Sequence, residues 1–180
     1  MATEIQGAKI VTEEIENAAG ANPYSITLGT ESTTTGGSTL DITGIPSGVK
    51  RITVMFVGVS TSGTSDPMIQ IGDSGGFETS GYDGACQNAG GSVYTTYSSG
   101  YVQVSAHYAA DVIHGTCVLS LEDSANFTWS EYHTVSDEVA SVATGSGSKS
   151  LSGELTQLRI TTVGGSETID INGGINVQFQ

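Results

Sequence analysis

The chain has 180 residues, enough for one domain with a substantial core, and 25 of them are glycine. Charged residues make up only 13%, and 19 acids against 5 bases give a formal net charge of −14. This balance argues against binding to nucleic acid or to an anionic membrane surface, because both require a cationic protein surface. Serine and threonine replace the charged residues, and threonine suits a pleated sheet. The composition therefore predicts an all-β protein.

The sequence pattern of the first 37 residues predicts an N-terminal arm and linker. Thr12 is suited to cap a short helix that Gly20 would end, and acids follow in its first turn, where the helix dipole favours them. An extended arm and a frayed terminus are the alternatives. The segment is too short to bury a face alone, so we expect Ile10, Val11 and Ile15 to contact another surface. The start resembles no secretory signal, which predicts synthesis in a cytoplasm.

Residues 38–180 predict the packed domain. Between Arg51 and Val59, the sequence RITVMFVGV is apolar on both alternating faces, which predicts a central strand buried on both sides. The sequence TCVLSL alternates as a half-buried strand does. Asn172-Gly173 predicts a tight hairpin turn. About nine or ten such strands with glycine-rich turns predict a jelly-roll-like β-sandwich.

The stretch IQIGDSGGFETSGY, residues 69–82, contains the sequence that surrounds the nucleophile of chymotrypsin-like serine proteases. In those enzymes the histidine precedes the serine, whereas His107, His114 and His133 all follow Ser74. A GDSL-type esterase would pair Ser74 with Asp111 and His114. Such enzymes use a parallel sheet with helical crossovers, and no helical period lies between these residues. We therefore predict a tight turn at Ser74 and no enzymatic activity.

Other residues that could react or bind a ligand are scattered along the chain. Cys86 and Cys117 are expected to be reduced, and their spacing gives no zinc pattern. Trp129 is expected in the core, and the histidines at the surface or in strands. Four acids in one loop-rich stretch offer oxygen ligands of the kind calcium prefers, although their spacing matches no EF-hand. These acids are Asp66, Asp73, Glu78 and Asp83. The sequence predicts no cofactor.

Tyrosines are concentrated in one third of the chain, and an aromatic ring with a polar tip is a common platform for a sugar ring. The candidate contacts with a glycan or a receptor are Tyr82, Tyr94, Tyr97 and Tyr101. Packing in the core or at an interface is the alternative. Lys50 and Arg51 are two of the five cations, and they either form ion pairs or solubilise the entry to a strand.

Several motifs follow one another between residues 43 and 82. They are a Gly-Ile-Pro lead, Lys-Arg before an apolar strand, a Ser-x-x-Gly-Thr turn, Gln-x-Gly-Asp-x-Gly-Gly and Ser-Gly-Tyr. Their order resembles a module of tailed-phage virion proteins that occurs in tail-fibre and minor structural chains. KSLSGELTQLRITT and INGGINVQF resemble its closing strands, although that family usually has Phe-Asp-Ala-Gly where this chain has Ile169-Asp170-Ile171-Asn172. The similarity covers roughly residues 38 to 180.

This resemblance implies a β-sandwich on the virion surface, commonly trimeric and without catalytic residues. It makes Ile10, Val11 and Ile15 the candidate contacts with the virion. A short chain without shaft repeats favours a capsid-decoration or head-fibre role over a long tail fibre. The alternative is a receptor- or carbohydrate-binding module of a phage tail. The expected partners are the major capsid protein or another virion protein, further copies of the chain and a host surface glycan.

Overall fold

A computed structural model describes residues 25–33, 36–89, 94–109, 111–137 and 141–180. These residues form strands and no α-helix, which confirms the all-β prediction. The strands are β1 (Thr27–Leu28), β2 (Leu40–Thr43), β3 (Arg51–Thr61), β4 (Pro67–Asp73), β5 (Gly76–Phe77), β6 (Asp83–Ala89), β7 (Tyr94–Tyr97), β8 (Tyr101–Val102), β9 (Ile113–Asp123), β10 (Thr128–Asp137), β11 (Val142–Ser150), β12 (Gln157–Thr162) and β13 (Ile169–Phe179). Within the described residues, no helix could span a membrane. The helix considered between Thr12 and Gly20 lies outside them.

The strands form two antiparallel sheets. The larger sheet has the order β1-β13-β3-β9-β10-β11-β6-β7, and the smaller has the order β2-β12-β4-β5, with β8 also paired to β4. The core lies where the inward faces of both sheets meet, and includes Ile52 and Leu119 from the larger sheet and Ile71 and Leu158 from the smaller. Trp129 is buried in the same cluster, as expected. This arrangement confirms the predicted β-sandwich.

Strand β3 is central, as predicted, but only one of its faces is covered. Ile52, Val54 and Phe56 are buried, whereas Val57 on the opposite face is 53% exposed. The prediction of burial on both sides is therefore wrong for this chain. Gly58 adopts a φ of 65° and interrupts the register on both flanks of the strand, which changes the alternation beyond it. The apolar outer positions of β3 remain accessible to solvent.

The predicted hairpin at Asn172-Gly173 is also wrong. Both residues lie inside β13, which continues from Ile169 to Phe179 alongside β3. They oppose the single residue Gly58, which makes a β-bulge of two residues against one. The sequence Asn-Gly relieves crowding here, because a Cβ on Gly173 would press on the backbone of Val57. The long-range pairing with β3 therefore overrides the local turn preference.

Residues before position 38 also contact the larger sheet. Strand β1 pairs with the end of β13, and bridges join Ser32 to Ile175 and Gly37 to Ile169. This part of the predicted linker covers the open edge of β13, a sheet position that proteins commonly protect. Residues of the segment predicted as arm and linker thus also pair with the larger sheet.

Candidate functional site

Ser74 lies in a tight hairpin between β4 and β5, as predicted. The Asp73 carboxylate accepts hydrogen bonds from the Gly75 N–H at 2.7 Å and from the Ser152 hydroxyl at 2.6 Å. These bonds, that of Ser152 first, hold the pKa of Asp73 below its ordinary value. Gly72 has no room for a Cβ, because β5 returns directly over it. The Gly-Asp-Ser-Gly-Gly motif therefore builds a turn whose acid is used for structure.

The Asp111 and His114 pair expected of an esterase has other partners. The Asp111 carboxylate accepts a hydrogen bond from the Tyr108 N–H at 3.0 Å. His114 Nδ1 accepts one from the Gly58 N–H at 3.3 Å, beside the bulge of β3. His107 is buried in the loop after β8, a placement that the sequence did not indicate. Its backbone N–H donates a hydrogen bond to the Asp66 carboxylate at 3.0 Å. Each of these contacts secures backbone structure.

The predicted tyrosine platform requires correction for three of its four members. Tyr82, Tyr97 and Tyr101 are 4%, 6% and 0% exposed, and Tyr101 packs edge-on against the other two rings. Burial raises the pKa of all three hydroxyls. A sugar ring needs an open aromatic face, which these buried rings do not offer. The fourth residue, Tyr94, begins the edge strand β7, and its side chain lies outside the described part.

Three of the four acids considered as calcium ligands have other partners. Asp73 holds its hairpin, Glu78 pairs with Lys149 at 3.1 Å, and Asp66 accepts from the backbone of His107. Asp83 is exposed at the start of β6. In the described residues, no three Asp, Glu, His or Cys side chains converge in a way that could hold a metal ion.

A buried cluster of ionisable and polar side chains surrounds Glu131, and the sequence analysis did not predict it. Glu131 and His133 are both on β10 and both wholly buried, with Glu131 Oε1 at 2.7 Å from His133 Nδ1. The same oxygen accepts from the thiol of Cys117 at 3.2 Å and from the Gln103 amide at 3.4 Å. The other oxygen accepts from the Tyr97 hydroxyl at 3.3 Å. A carboxylate satisfied by several donors is the arrangement that makes a buried acid tolerable.

Alternation along β10 contained the signal for this network. Trp129 and Val135 are core residues, so the period of two places Glu131 and His133 on the same inward face. Glycines make room for the large rings. Gly145 lies directly opposite His133, and a Cβ there would meet the imidazole. Residue type alone does not reveal the burial, because glutamate and histidine are seldom fully buried.

This network is closed to substrates. Burial is the main reason why the pKa of Cys117 is raised well above its ordinary value and that of Cys86 is raised to about 12. Both thiols therefore stay protonated at neutral pH. Both cysteines are free, as expected. A nucleophilic cysteine must be both accessible and deprotonated, whereas Cys86 and Cys117 are buried and protonated. The network therefore organises the core instead of forming a catalytic centre.

The outer face of the larger sheet is a further surface feature of the described residues. We define the outer face by cross-strand rows of outward side chains on β3, β9, β10, β11 and β6. One row is Thr53, Val118, Tyr132, Ser146 and Ala85. The next row is Met55, Thr116, Thr134, Thr144 and Gln87. Neither row contains a charged residue, although the chain carries 19 acids.

The outer face has one prominent aromatic ring and a shallow depression. Tyr132 is 53% exposed, and its hydroxyl lies 3.4 Å from the Arg51 guanidinium. Arg51 therefore contacts an aromatic residue of its own chain. The depression has a volume of about 500 Å³ and overlies β6 and β11, where Ala85, Thr144 and Ser146 are small. An uncharged face with an exposed ring is suited to binding another surface or a flat polar ligand.

The predicted attachment residues Ile10, Val11 and Ile15 lie outside the described residues. Comparisons with protein families, curated proteins and solved structures give no match to this chain.

Proposed function

We propose that this chain is a structural protein of the bacteriophage virion, a non-catalytic β-sandwich that decorates the capsid or forms part of a tail fibre. Its copies form trimers, as the resemblance of residues 38–180 to phage modules implies. It attaches to the major capsid protein or to another virion protein through its N-terminal arm.

One observation carries this proposal: the motifs of the resemblance serve the fold. Ile45 of the Gly-Ile-Pro lead is buried in the core. The Glu167 carboxylate accepts from the N–H groups of Thr64 and Ser65 and so secures the Ser-x-x-Gly-Thr turn. Tyr82 of the Ser-Gly-Tyr motif is bonded to the backbone of Ile71 on β4 at 2.8 Å. Motif residues that act as scaffold are what a virion module without catalysis requires.

Quantitative mass spectrometry of purified phage particles tests the proposal. We expect this chain to copurify with the particles through a density gradient and to remain bound after a high-salt wash. Many copies per particle would assign it to the capsid, and few copies would assign it to the tail. Absence of the chain from particles made by a host that expresses it would contradict the proposal.

A second candidate function is binding to a host glycan, and the exposed ring of Tyr132 favours it. Aromatic rings flanked by hydroxyl and amide groups are common features of sugar sites. Thr134 and Gln87 provide such groups on the outer face. A glycan array with the wild-type chain and with Tyr132→Ala tests this function. Binding that is absent, or that survives the substitution, would exclude the outer face as a sugar site.

A further inference from the structure

The outer face has charge at two opposite ends of one further row. This third row is Arg51, Ser120, Ser130, Ser148 and Asp83. Arg51 lies on β3 and Asp83 on β6, each two strands away from β10. Both side chains are exposed. A basic and an acidic residue therefore lie at equal distances on either side of a central strand.

We propose that two copies of this chain pair through their outer faces about a two-fold axis parallel to β10. Such an axis places each strand of one copy against the strand at the mirrored position of the other. The row position of Arg51 in one copy then faces that of Asp83 in the second, and the same arrangement occurs again at the opposite end. The Arg51 guanidinium, which lies 3.4 Å from the Tyr132 hydroxyl of its own chain, would turn towards Asp83 on pairing. The charge pattern is thus complementary to itself.

The shape of the outer face is also consistent with this two-fold axis. Two long outward side chains, Arg51 and Met55, lie on β3, whereas the depression overlies β6 and β11 on the opposite side of β10. The axis sets Met55 of one copy against Gln87, beside the depression of the other. Tyr132 and Thr134 lie at the axis and meet their own equivalents. The axis therefore brings the β3 half of each outer face over the half of the other that contains the depression.

Net charge restricts where two copies can touch. Each carries a formal charge of −14, so contact through acidic surfaces would be repulsive. The outer face reduces this repulsion, because two of its three rows, including the middle one, contain no charged residue. Depletion of charge at the centre, with charged residues at the rim, is typical of protein interfaces.

The size of the outer face is sufficient for a reversible contact. Five strands span about 24 Å, and the three rows extend about 20 Å along them. This gives on the order of 500 Å² on each copy and about 1,000 Å² in total, near the lower limit of specific interfaces. Association is therefore expected to depend on concentration.

The pairing does not depend on the virion proposal, and it is compatible with a trimer. A two-fold contact can join two single chains, or a chain of one trimer to a chain of the next. In either case, breaking the contact lowers the mass of the assembly to that of the single chain or the single trimer. Particle association and assembly mass are separate measurements, so failure of one proposal can be distinguished from failure of the other.

Sedimentation velocity on the purified full chain, from micromolar to several hundred micromolar, measures this mass. We expect Thr134→Glu to lower it, at the higher concentrations, to that of the single chain or the single trimer, because two carboxylates would meet at the axis. Thr43→Glu introduces the same charge on β2 of the other sheet and should leave the mass unchanged. Circular dichroism confirms that each variant is folded.

Charge reversal at the row ends provides the sharper test. Arg51→Asp alone and Asp83→Arg alone should each weaken self-association, because like charges would then face each other. An equimolar mixture of these two variants should associate again, since both contacts become oppositely charged. Recovery in the mixture supports the two-fold axis. A wild-type mass that is insensitive to Thr134→Glu, or a mixture that stays dissociated, would overturn the pairing.

Discussion

At the scale of single residues, Glu131 shows how one buried carboxylate organises part of a sandwich core. It connects β10 to β9 through Cys117, to β7 through Tyr97 and to the segment after β8 through Gln103. In the low-dielectric interior these hydrogen bonds are strong, and an unpaired partner is costly. The network therefore fixes the mutual positions of elements that are distant in sequence.

Glu131→Leu should lower the free energy of unfolding by about 3–5 kcal/mol, because it leaves Tyr97, Gln103 and His133 buried without this hydrogen-bond partner, and each unsatisfied buried group costs about 1–3 kcal/mol. Urea denaturation measures this loss. Tyr97→Phe removes one neutral donor from the same carboxylate and should cost about 1 kcal/mol. Equal losses in the two variants would show that Glu131 is not the centre of the network.

At the scale of secondary-structure elements, the β4–β5 hairpin depends on an acid that the sequence placed only in a turn. Asp73 reaches Ser152, which follows β11, so its carboxylate joins the hairpin to a distant segment. Its pKa is lower in the folded state than the ordinary value of 3.8. The resulting stabilisation is therefore complete above that value and is lost as the pH falls through the folded-state pKa.

Asp73→Ala should cost about 2 kcal/mol of unfolding free energy at pH 7, since hydrogen bonds to a charged group are lost. The difference from the wild type should shrink as the solution is acidified below the ordinary carboxyl range. Urea denaturation at pH 7 and pH 3 measures both effects. Ser74→Ala, at the exposed tip of the same hairpin, should change stability by less than about 0.5 kcal/mol at either pH. If the difference in unfolding free energy between Asp73→Ala and the wild type were independent of pH, this role of Asp73 would be contradicted.

Close packing of β10 and β11 leads to a second prediction at this scale. Gly145→Ala should destabilise the protein by about 1–3 kcal/mol, because the added methyl group would press on His133 and lie 2.7 Å from the Ala85 carbonyl oxygen. Thermal or urea denaturation measures the loss. Gly153→Ala is the matched control, since its nearest neighbour would be an Asp73 oxygen at 3.6 Å. The two substitutions should differ clearly in stability.

At the scale of the whole molecule, the two ends of the described chain meet in the larger sheet. Strand β13 lies between β1 and β3, and its Ile175 and Val177 are buried. Pairing of β3 with β13 joins residues more than a hundred positions apart. Such contacts make the fold dependent on its last strand and slow to form.

Deletion of residues 169–180 should therefore abolish the cooperative thermal transition, because it exposes the apolar inner face of β3 and leaves β3 as an open edge. Far-ultraviolet circular dichroism during heating tests this expectation. A truncated chain that still unfolds in one sharp transition would show that the larger sheet is stable without β13.

Composition, alternation and turn chemistry are local properties, and from them the fold class, the turn at Ser74, the core position of Trp129 and the central place of β3 could be predicted. The other features depend on long-range strand pairing. The tertiary structure made Asn172-Gly173 a bulge, because pairing with β3 outweighs a turn preference. It buried three tyrosines and assembled Glu131 with partners from several strands, because burial depends on which distant strand lies alongside. Strand pairing joins residues far apart in sequence, and no local pattern specifies it.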